Sequence, residues 1–397
     1  MGLTLRGMLN EIELWREVAQ DAALMKRVSA VDPADVSAVT ALRRDYAAPV
    51  VSAALSLSAA RCKAQRKFGD PGNRFVADAA GVEQASGAGV ASYKAKRVHD
   101  VLGADALVTD LCCGIGGDSM ALAQAGLRVL AVDHSPLRAW MAGHNGGPSV
   151  QAVCADVASL EVSGTPIHID PARRDEQAGR RAWRLEDCRP GPTVIGQLIE
   201  QSPAAAIKLS PGVDVQGLPW GGELEFISDH GRLVQALLWT GLFANDQRAA
   251  TLIDGDGIHR ICGVPSSPRY SAAGRYLYTF DASVERAGLI GQLSSQLGAP
   301  AIHPKLGLLT SEAVIDSSWA TGFELIEQLP WRPKRVKQWL SAHDGGLIEV
   351  KTRGKACDPN AEQRRLRGGG SIAYTVFVLR FDTKVQALIT RRLSHAG

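Results

Sequence analysis

No apolar run in these 397 residues approaches the roughly 18–20 positions a membrane-spanning helix needs, so a membrane protein is not expected. The opening stretch, MGLTLRGMLNEIELWREV, lacks the apolar core of a signal peptide. Cysteine is scarce and ill-placed for pairing: there are seven, an odd number, with no C-x-x-C pair and with Cys112 and Cys113 adjacent. That pattern argues against a disulfide framework and against a zinc site, so a reducing, cytoplasmic compartment and no metal are expected. Charge excess is also lacking, since the net charge is only +3, and its distribution says more than its size. With 45% hydrophobic and 21% charged residues, the chain has ample core for two or three domains.

What is present is concentrated in Ala106–Asp133, ALVTDLCCGIGGDSMALAQAGLRVLAVD. It reads as strand, turn, helix, strand. The first strand ends on Asp110 and Leu111. Cys112, Cys113, Gly114, Ile115, Gly116 and Gly117 form a turn in which glycine lets the backbone bend tightly and approach a ligand. Asp118 is placed to cap the following helix, and Gly126 to end it. The second strand delivers Asp133, 19 positions after Gly114, where a carboxylate meets ribose hydroxyls.

A dinucleotide site wants G-x-G-x-x-G with a pyrophosphate on the helix N-terminus, but Ser119 stands at the third glycine position. Asp110 and Asp118 would repel a pyrophosphate. They suit S-adenosylmethionine, which carries a sulfonium and an ammonium and no phosphate. A dinucleotide, or a glycine turn with no ligand, stays open on these residues alone.

Three further landmarks follow: His168-Ile-Asp-Pro-Ala-Arg-Arg174, Ile207-Lys-Leu-Ser-Pro211 and a basic C-terminal module. Together with Asp110-Leu-Cys-Cys-Gly-Ile-Gly-Gly-Asp118, they resemble the class I methyltransferases that carry a THUMP-like (ferredoxin-like) C-terminal domain. The likeness spans roughly residues 60–397. The first motif is most similar to the trimethylguanosine synthase-like branch, D-x-F-C-G-x-G-G-N, with Cys112 in place of the aromatic and Asp118 in place of the Asn. The resemblance implies an α/β fold: a Rossmann-like seven-stranded sheet with an N-terminal helical domain and a small C-terminal α+β domain. The corresponding boundaries are 1–95 (helical), 96–281 (methyltransferase), 282–321 (helical connector) and 322–397 (THUMP-like). Cofactor contacts are expected from Asp110, Cys112, Gly114, Gly116, Asp118, Asp133 and Asp156. By position, Asp156 faces the adenine amino group, although an acid there equally serves as a helix cap.

In the N-terminal part, apolar spacing predicts helices over Glu11–Arg27, from Asp32-Pro33, over Tyr46–Lys67 and over Gly81–Val101. Arg61, Lys63, Arg66 and Lys67 fall within seven residues, which fits a solvated helix face or contact with a phosphate backbone.

Strands are expected at Val150–Cys154, Thr165–Ile169, Ala204–Leu209, Glu223–Ser228 and Arg248–Ile253, with a hairpin at Gly255-Asp-Gly257 and a helix at Arg232–Trp239. The fourth strand ends on Asp170 and Pro171, where open α/β sheets bind ligands. Related amine methyltransferases carry D/N-P-P-aromatic here. The resemblance therefore makes Asp170 and Pro171 the catalytic candidates, gripping a target N–H, while Ala172 and Arg173 replace the second proline and the stacking aromatic. Arg173 and Arg174 suit a phosphate, or an ion-paired loop. Arg180, Arg181, Trp183, Arg184 and Arg189 extend a basic rim. Lys208 meets substrate or snorkels from the strand edge.

From Gly322 to Gly397 there are fourteen Lys and Arg against seven Asp and Glu, a balance of +7 in a chain of net +3. The pattern predicts β-α-β-α-β-β, with Lys351 and Arg353 opening a basic cluster that points to nucleic acid or to a merely soluble surface. The function read from the sequence is S-adenosylmethionine-dependent methylation of an RNA base nitrogen, in tRNA or rRNA. A protein or small-molecule substrate, and a non-catalytic RNA-binding protein with a relic pocket, are its rivals.

Overall fold

The computed structural model describes residues 5–69, 74–173, 185–245 and 247–393, and for residues 5–9 and 173 the backbone alone. It divides into two compact units, Met1–Glu223 with Gln235–Asp246, and Leu224–Val234 with Gln247–Gly397. No helix among the described residues is long and apolar enough to cross a membrane.

The first unit opens with α1 (Leu5–Gln20), α2 (Ala22–Ser29), α3 (Val36–Asp45), α4 (Ala48–Phe68), α5 (Ala79–Gln84) and α6 (Ala88–Leu102). Asp21 separates α1 from α2 by accepting the Leu24 N–H at 2.8 Å, an N-cap bond. α3 starts later than Asp32-Pro33 predicts. Asp35 caps it through Ser37 and Ala38, while Asp32 closes a turn onto Ala34. The helix expected over Gly81–Val101 is broken into α5 and α6.

Three of the four cations at the end of α4 are engaged by the segment that follows, while Arg66 is exposed. Arg61 donates to the Phe75 carbonyl at 3.0 Å, Lys63 pairs with Glu83, and Lys67 donates to the carbonyls of Val82 and Glu83 at 2.8 Å each. These cations hold residues 75–84 onto α4. Trp15, Leu24, Val28, Val51, Leu57, Phe75 and Val82 then form one core with Ile115 and Met141 of the segments that follow.

Those segments are β1 (Leu107–Leu111), α7 (Gly117–Gln124), β2 (Arg128–Asp133), α8 (Pro136–Gly146), β3 (Val150–Cys154) and β4 (Ile167–Ile169). A two-residue pair follows, β5 (Ala172–Arg173) with β6 (Cys188–Arg189), and then α9 (Pro192–Gln201), β7 (Ala204–Leu209), β8 (Glu223–Asp229) and β9 (Arg232–Gly241). Strands β3, β2, β1, β4 and β7 lie side by side, all parallel. β1 sits between β2 and β4, so the sheet reverses its winding there, the place where such sheets bind ligands.

The helix expected at Arg232–Trp239 is strand β9, antiparallel to β7 with Ala204 opposite Gly241 and Leu209 opposite Ala236. Its six residues from Gln235 to Thr240 are all buried. A strand covered on both faces reads as one apolar run, which periodicity cannot distinguish from a buried helix turn.

In the second unit, β10 (Arg248–Asp254) runs parallel to β8 and antiparallel to β11 (Gly257–Gly263), with Asp254 opposite Gly257 across the expected hairpin. Then come β12 (Tyr276–Phe280), α10 (Ala282–Ala287), α11 (Ile290–Leu297), β13 (Leu309–Ser311), β14 (Ala320–Pro330), α12 (Pro333–Ala342), β15 (Gly345–Arg353), α13 (Pro359–Leu366), β16 (Ile372–Phe381) and β17 (Lys384–Arg392). A separate six-stranded sheet has the order β13-β12-β14-β17-β16-β15. From β14 onward the order is the β-α-β-α-β-β read from the sequence. β16 alternates as a strand covered on both faces should: Tyr374, Val376 and Val378 join the cluster with Val336 and Leu366 of the helices, while Phe377 and Leu379 join the opposite one.

A buried ion pair joins Arg97 of α6 to Glu223 within the first unit. Arg97 makes two 2.7 Å bonds to fully buried Glu223, donates to the Phe243 carbonyl at 2.9 Å and lies over the Trp239 ring. Arg97→Met strands that carboxylate, so we expect a loss of about 3–5 kcal/mol in urea unfolding. Arg97→Met with Glu223→Gln should recover much of it.

Candidate functional site

The glycine turn joins β1 to α7. Cys112, Gly114 and Gly116 have φ of 57°, 57° and 83°, in the left-handed region. Gly116 is also the N-cap of α7, and a Cβ on it would lie 2.8 Å from the Ala142 Cα, so no other residue fits without displacing α8. Asp118 is therefore not the cap that the sequence suggests; it sits in the first turn of α7. Asn145 of α8 fixes the turn from outside, donating to Ile115 O at 2.9 Å and to Val76 O at 2.8 Å.

Beneath the turn lies a buried polar chain. Asp110 is fully buried; its Oδ2 accepts from Ser119 at 2.5 Å and its Oδ1 is 2.7 Å from His168 Nδ1. His168 Nε2 is 3.1 Å from Lys94 Nζ of α6, which pairs with Asp118 Oδ1 at 2.6 Å and with Ser86 at 3.1 Å. Ser86 in turn donates to Asp118 Oδ2 at 3.0 Å. Burial pushes the Asp118 carboxyl up, but the Lys94 ammonium overrides it and holds the group well below the usual carboxylate range.

Three further acids lie at the ends of neighbouring strands β2, β3 and β4. Asp133 accepts the Gly114 N–H on Oδ2 and the Ser135 N–H on Oδ1, both at 2.9 Å. The 19-residue spacing noted in the sequence is thus a direct contact between turn and second strand. Asp156 is exposed and caps a short 3₁₀ turn through the Ala158 N–H at 3.0 Å, the alternative that its position allowed. Asp170 is half-buried and its backbone N–H donates to Leu111 O; Pro171 beside it is buried. Cys112, in the turn, is half-buried. Burial first, and then Asp133, Asp170, Asp110 and Asp156, push its thiol far above the usual range, so it is a neutral thiol.

Asp170 has a cation at hand. Lys208 Nζ lies 2.6 Å from its Oδ2 and 3.3 Å from Gln84 O at the end of α5. Lys67, pushed down to about 8 by burial and by neighbouring Lys208, sits at the same helix end. Arg173 contributes backbone to β5; its side chain and all of Arg174, Arg180, Arg181, Trp183 and Arg184 lie outside the described residues. Lys351 and Arg353 are on β15 of the second unit, Lys351 paired with Glu349 at 2.8 Å and Arg353 exposed. Arg335, Lys337, Lys355, Arg364, Arg365 and Arg367 are exposed in the same unit. Among the described residues no group of side chains is arranged to hold a metal ion.

Lys94, Ser86 and the role of His168 were not read from the sequence. The available signal was a lysine on the apolar stripe of α6, with Ala91, Ala95 and Val98, all buried. A buried cation of that kind requires a buried partner.

Three comparisons bear on this site. A family model described as THUMP domain-like matches residues 320–392. Uncharacterised S-adenosylmethionine-dependent methyltransferases from two strains of Mycobacterium tuberculosis are each 33% identical over 314 residues, covering 75% of this chain and 83% of the relative. The crystal structure of a putative methyltransferase from Porphyromonas gingivalis superposes with a TM-score of 0.73 at 20% identity, covering 99% of this chain and 100% of that one.

The depressed Asp118 carboxyl fixes the sign of an acid effect. A carboxylate held below its unfolded value stabilises the fold above about pH 4, and that contribution is lost as pH falls further. Asp118→Asn should lower the melting temperature at pH 7 and flatten its decline between pH 5 and 3, a difference that differential scanning calorimetry would read.

Proposed function

The chain belongs to the S-adenosylmethionine-dependent methyltransferase family, and from that premise we propose that it methylates a base nitrogen of RNA, in tRNA or rRNA. The observation that carries the choice of donor is the placement of Asp110, Asp133, Asp156 and Asp170 at the carboxyl ends of β1, β2, β3 and β4, beside the glycine turn. Four acids at the ends of successive parallel strands favour a ligand with a positive centre and oppose one bearing phosphates. The left-handed turn from Cys112 to Gly116 would offer it backbone, Asp133 would take the ribose hydroxyls and Asp156 the adenine amino group, while Asp110 and Asp118 supply negative charge from below. Bound S-adenosylmethionine supplies a methyl group already activated by its sulfonium.

The protein's share is then positioning, which by itself supplies roughly 7–11 kcal/mol in well-oriented reactions. Asp170 is the group for this. Lys208 occupies one of its oxygens, leaving the other to accept an N–H and aim the nitrogen lone pair at the methyl carbon. Pro171 shapes the loop, and Arg173 and Arg174 are placed in sequence to meet a flanking phosphate. The RNA assignment rests on the THUMP domain-like match and on the exposed basic residues of the second unit. The finer likeness to trimethylguanosine synthases stays part of this proposal. The replacement of the stacking aromatic by Arg173 favours one rival, a protein or small-molecule acceptor.

Nucleoside mass spectrometry of RNA from cells with and without the protein tests the substrate. We expect one methylated nucleoside to vanish, and unchanged RNA would end the RNA reading. In vitro, Asp170→Ala should lower turnover roughly hundredfold or more, a far larger change than the weakening of S-adenosylmethionine binding read by calorimetry. RNA binding should weaken steeply and linearly in log–log plots against salt, as phosphate contacts require.

A further inference from the structure

The contacts of Lys94 in the buried chain under the turn fix where the proton of His168 sits. Lys94 Nζ has three neighbours: Asp118 Oδ1 at 2.6 Å, Ser86 Oγ at 3.1 Å and His168 Nε2 at 3.1 Å. An ammonium has three N–H donors and no lone pair, so Ser86 Oγ and His168 Nε2 accept from it, while Asp118 Oδ1 is its ion-pair partner. His168 Nε2 is therefore unprotonated. The imidazole is neutral, with its proton on Nδ1 donated to Asp110 Oδ1 at 2.7 Å. Ser119 donates to the other oxygen of Asp110, and Ser86 to the other oxygen of Asp118. Two carboxylates and one ammonium remain, a net charge of −1 in a cluster whose four titratable members are all buried. The nearby Asp170–Lys208 pair balances itself.

A buried, uncompensated negative charge is costly until a cation arrives. We propose that Lys94 and His168, as positioning residues that need not touch the cofactor, set the charge of this cluster and so decide how far the site prefers a sulfonium donor to its thioether product. The inference rests on S-adenosylmethionine as the cofactor. That donor has an ammonium, a sulfonium and a carboxylate, a net of +1. Once the methyl has left, with the C–S bonding pair staying on sulfur, the product is neutral overall. A net −1 beneath the turn thus attracts the donor more than the product and favours exchange after each turnover. Neutral His168 is essential to this sum, because a protonated ring would cancel the cluster's charge.

The test is a ratio of dissociation constants, measured by calorimetry for S-adenosylmethionine and S-adenosylhomocysteine on the whole protein. Lys94→Met takes the cluster from −1 to −2 and should shift the ratio toward the donor. Asp118→Asn takes it to 0 and should shift the ratio toward the product. One unit charge in partly buried surroundings makes each shift on the order of tenfold. The double variant restores −1 and should return the parental ratio, and Lys94→Arg should leave it unchanged. General damage to the fold weakens both ligands together and leaves the ratio alone. Ratios within twofold of the parent in both Asp118→Asn and Lys94→Met, or shifts of the same sign, would overturn the proposal. Should Lys94→Met not fold, Asp118→Asn measured against the double variant separates the same two outcomes. A parent protein that binds neither ligand would overturn the cofactor assignment as well.

Discussion

The salt bridge between Lys94 and Asp118 is the constraint on which the rest of the site depends. It brings together a helix that precedes the sheet and the helix that follows the glycine turn, and through His168 it reaches β4 and Asp110 on β1. Three consecutive elements, α6, β1 and α7, are thereby joined to the more distant β4 through one buried lysine and its histidine neighbour. Each hydrogen bond taken singly adds about 1 kcal/mol, but removing one partner leaves a buried charge exposed to the full desolvation cost. Such a chain tolerates little partial change, and it holds the backbone of the turn in one place.

Its position explains why the acids above it remain usable. Asp110 and Asp118 are engaged from below by His168, Lys94 and two serines, whereas Asp133 is tied to backbone amides and Asp156 to a short turn. Asp170 alone is paired with a cation from a neighbouring strand end, Lys208. Residues of one kind are thus set in different surroundings by their partners.

Much of this was legible in the sequence because it is local. The strand–turn–helix–strand from Ala106 to Asp133 carries its own punctuation, and the structure places β1, α7 and β2 there. The C-terminal β-α-β-α-β-β order was legible for the same reason, with Asp358 capping α13 as its Asp-Pro signal requires. What failed was non-local. β9 has no alternation because both its faces are covered, so its apolar run imitated a helix. Asp118 could serve as a cap, but a left-handed Gly116 took that role and released the carboxylate to Lys94. The basic run Arg61–Lys67 had a charge pattern suited to solvent or phosphate, and its partners were carbonyls and an acid of residues 75–84. No spacing rule reveals a partner separated by an irregular loop.

The shared core of the first helices with Ile115 and Met141 has a consequence for how this protein can vary. Ile115, in the glycine turn, is packed in one core with residues contributed some sixty to a hundred positions earlier, including Trp15 and Leu57. Exchange of the leading helices between relatives would therefore have to carry the loop along with it. Drift in that seemingly peripheral bundle is read out at the mouth of the sheet, so the two must evolve in step.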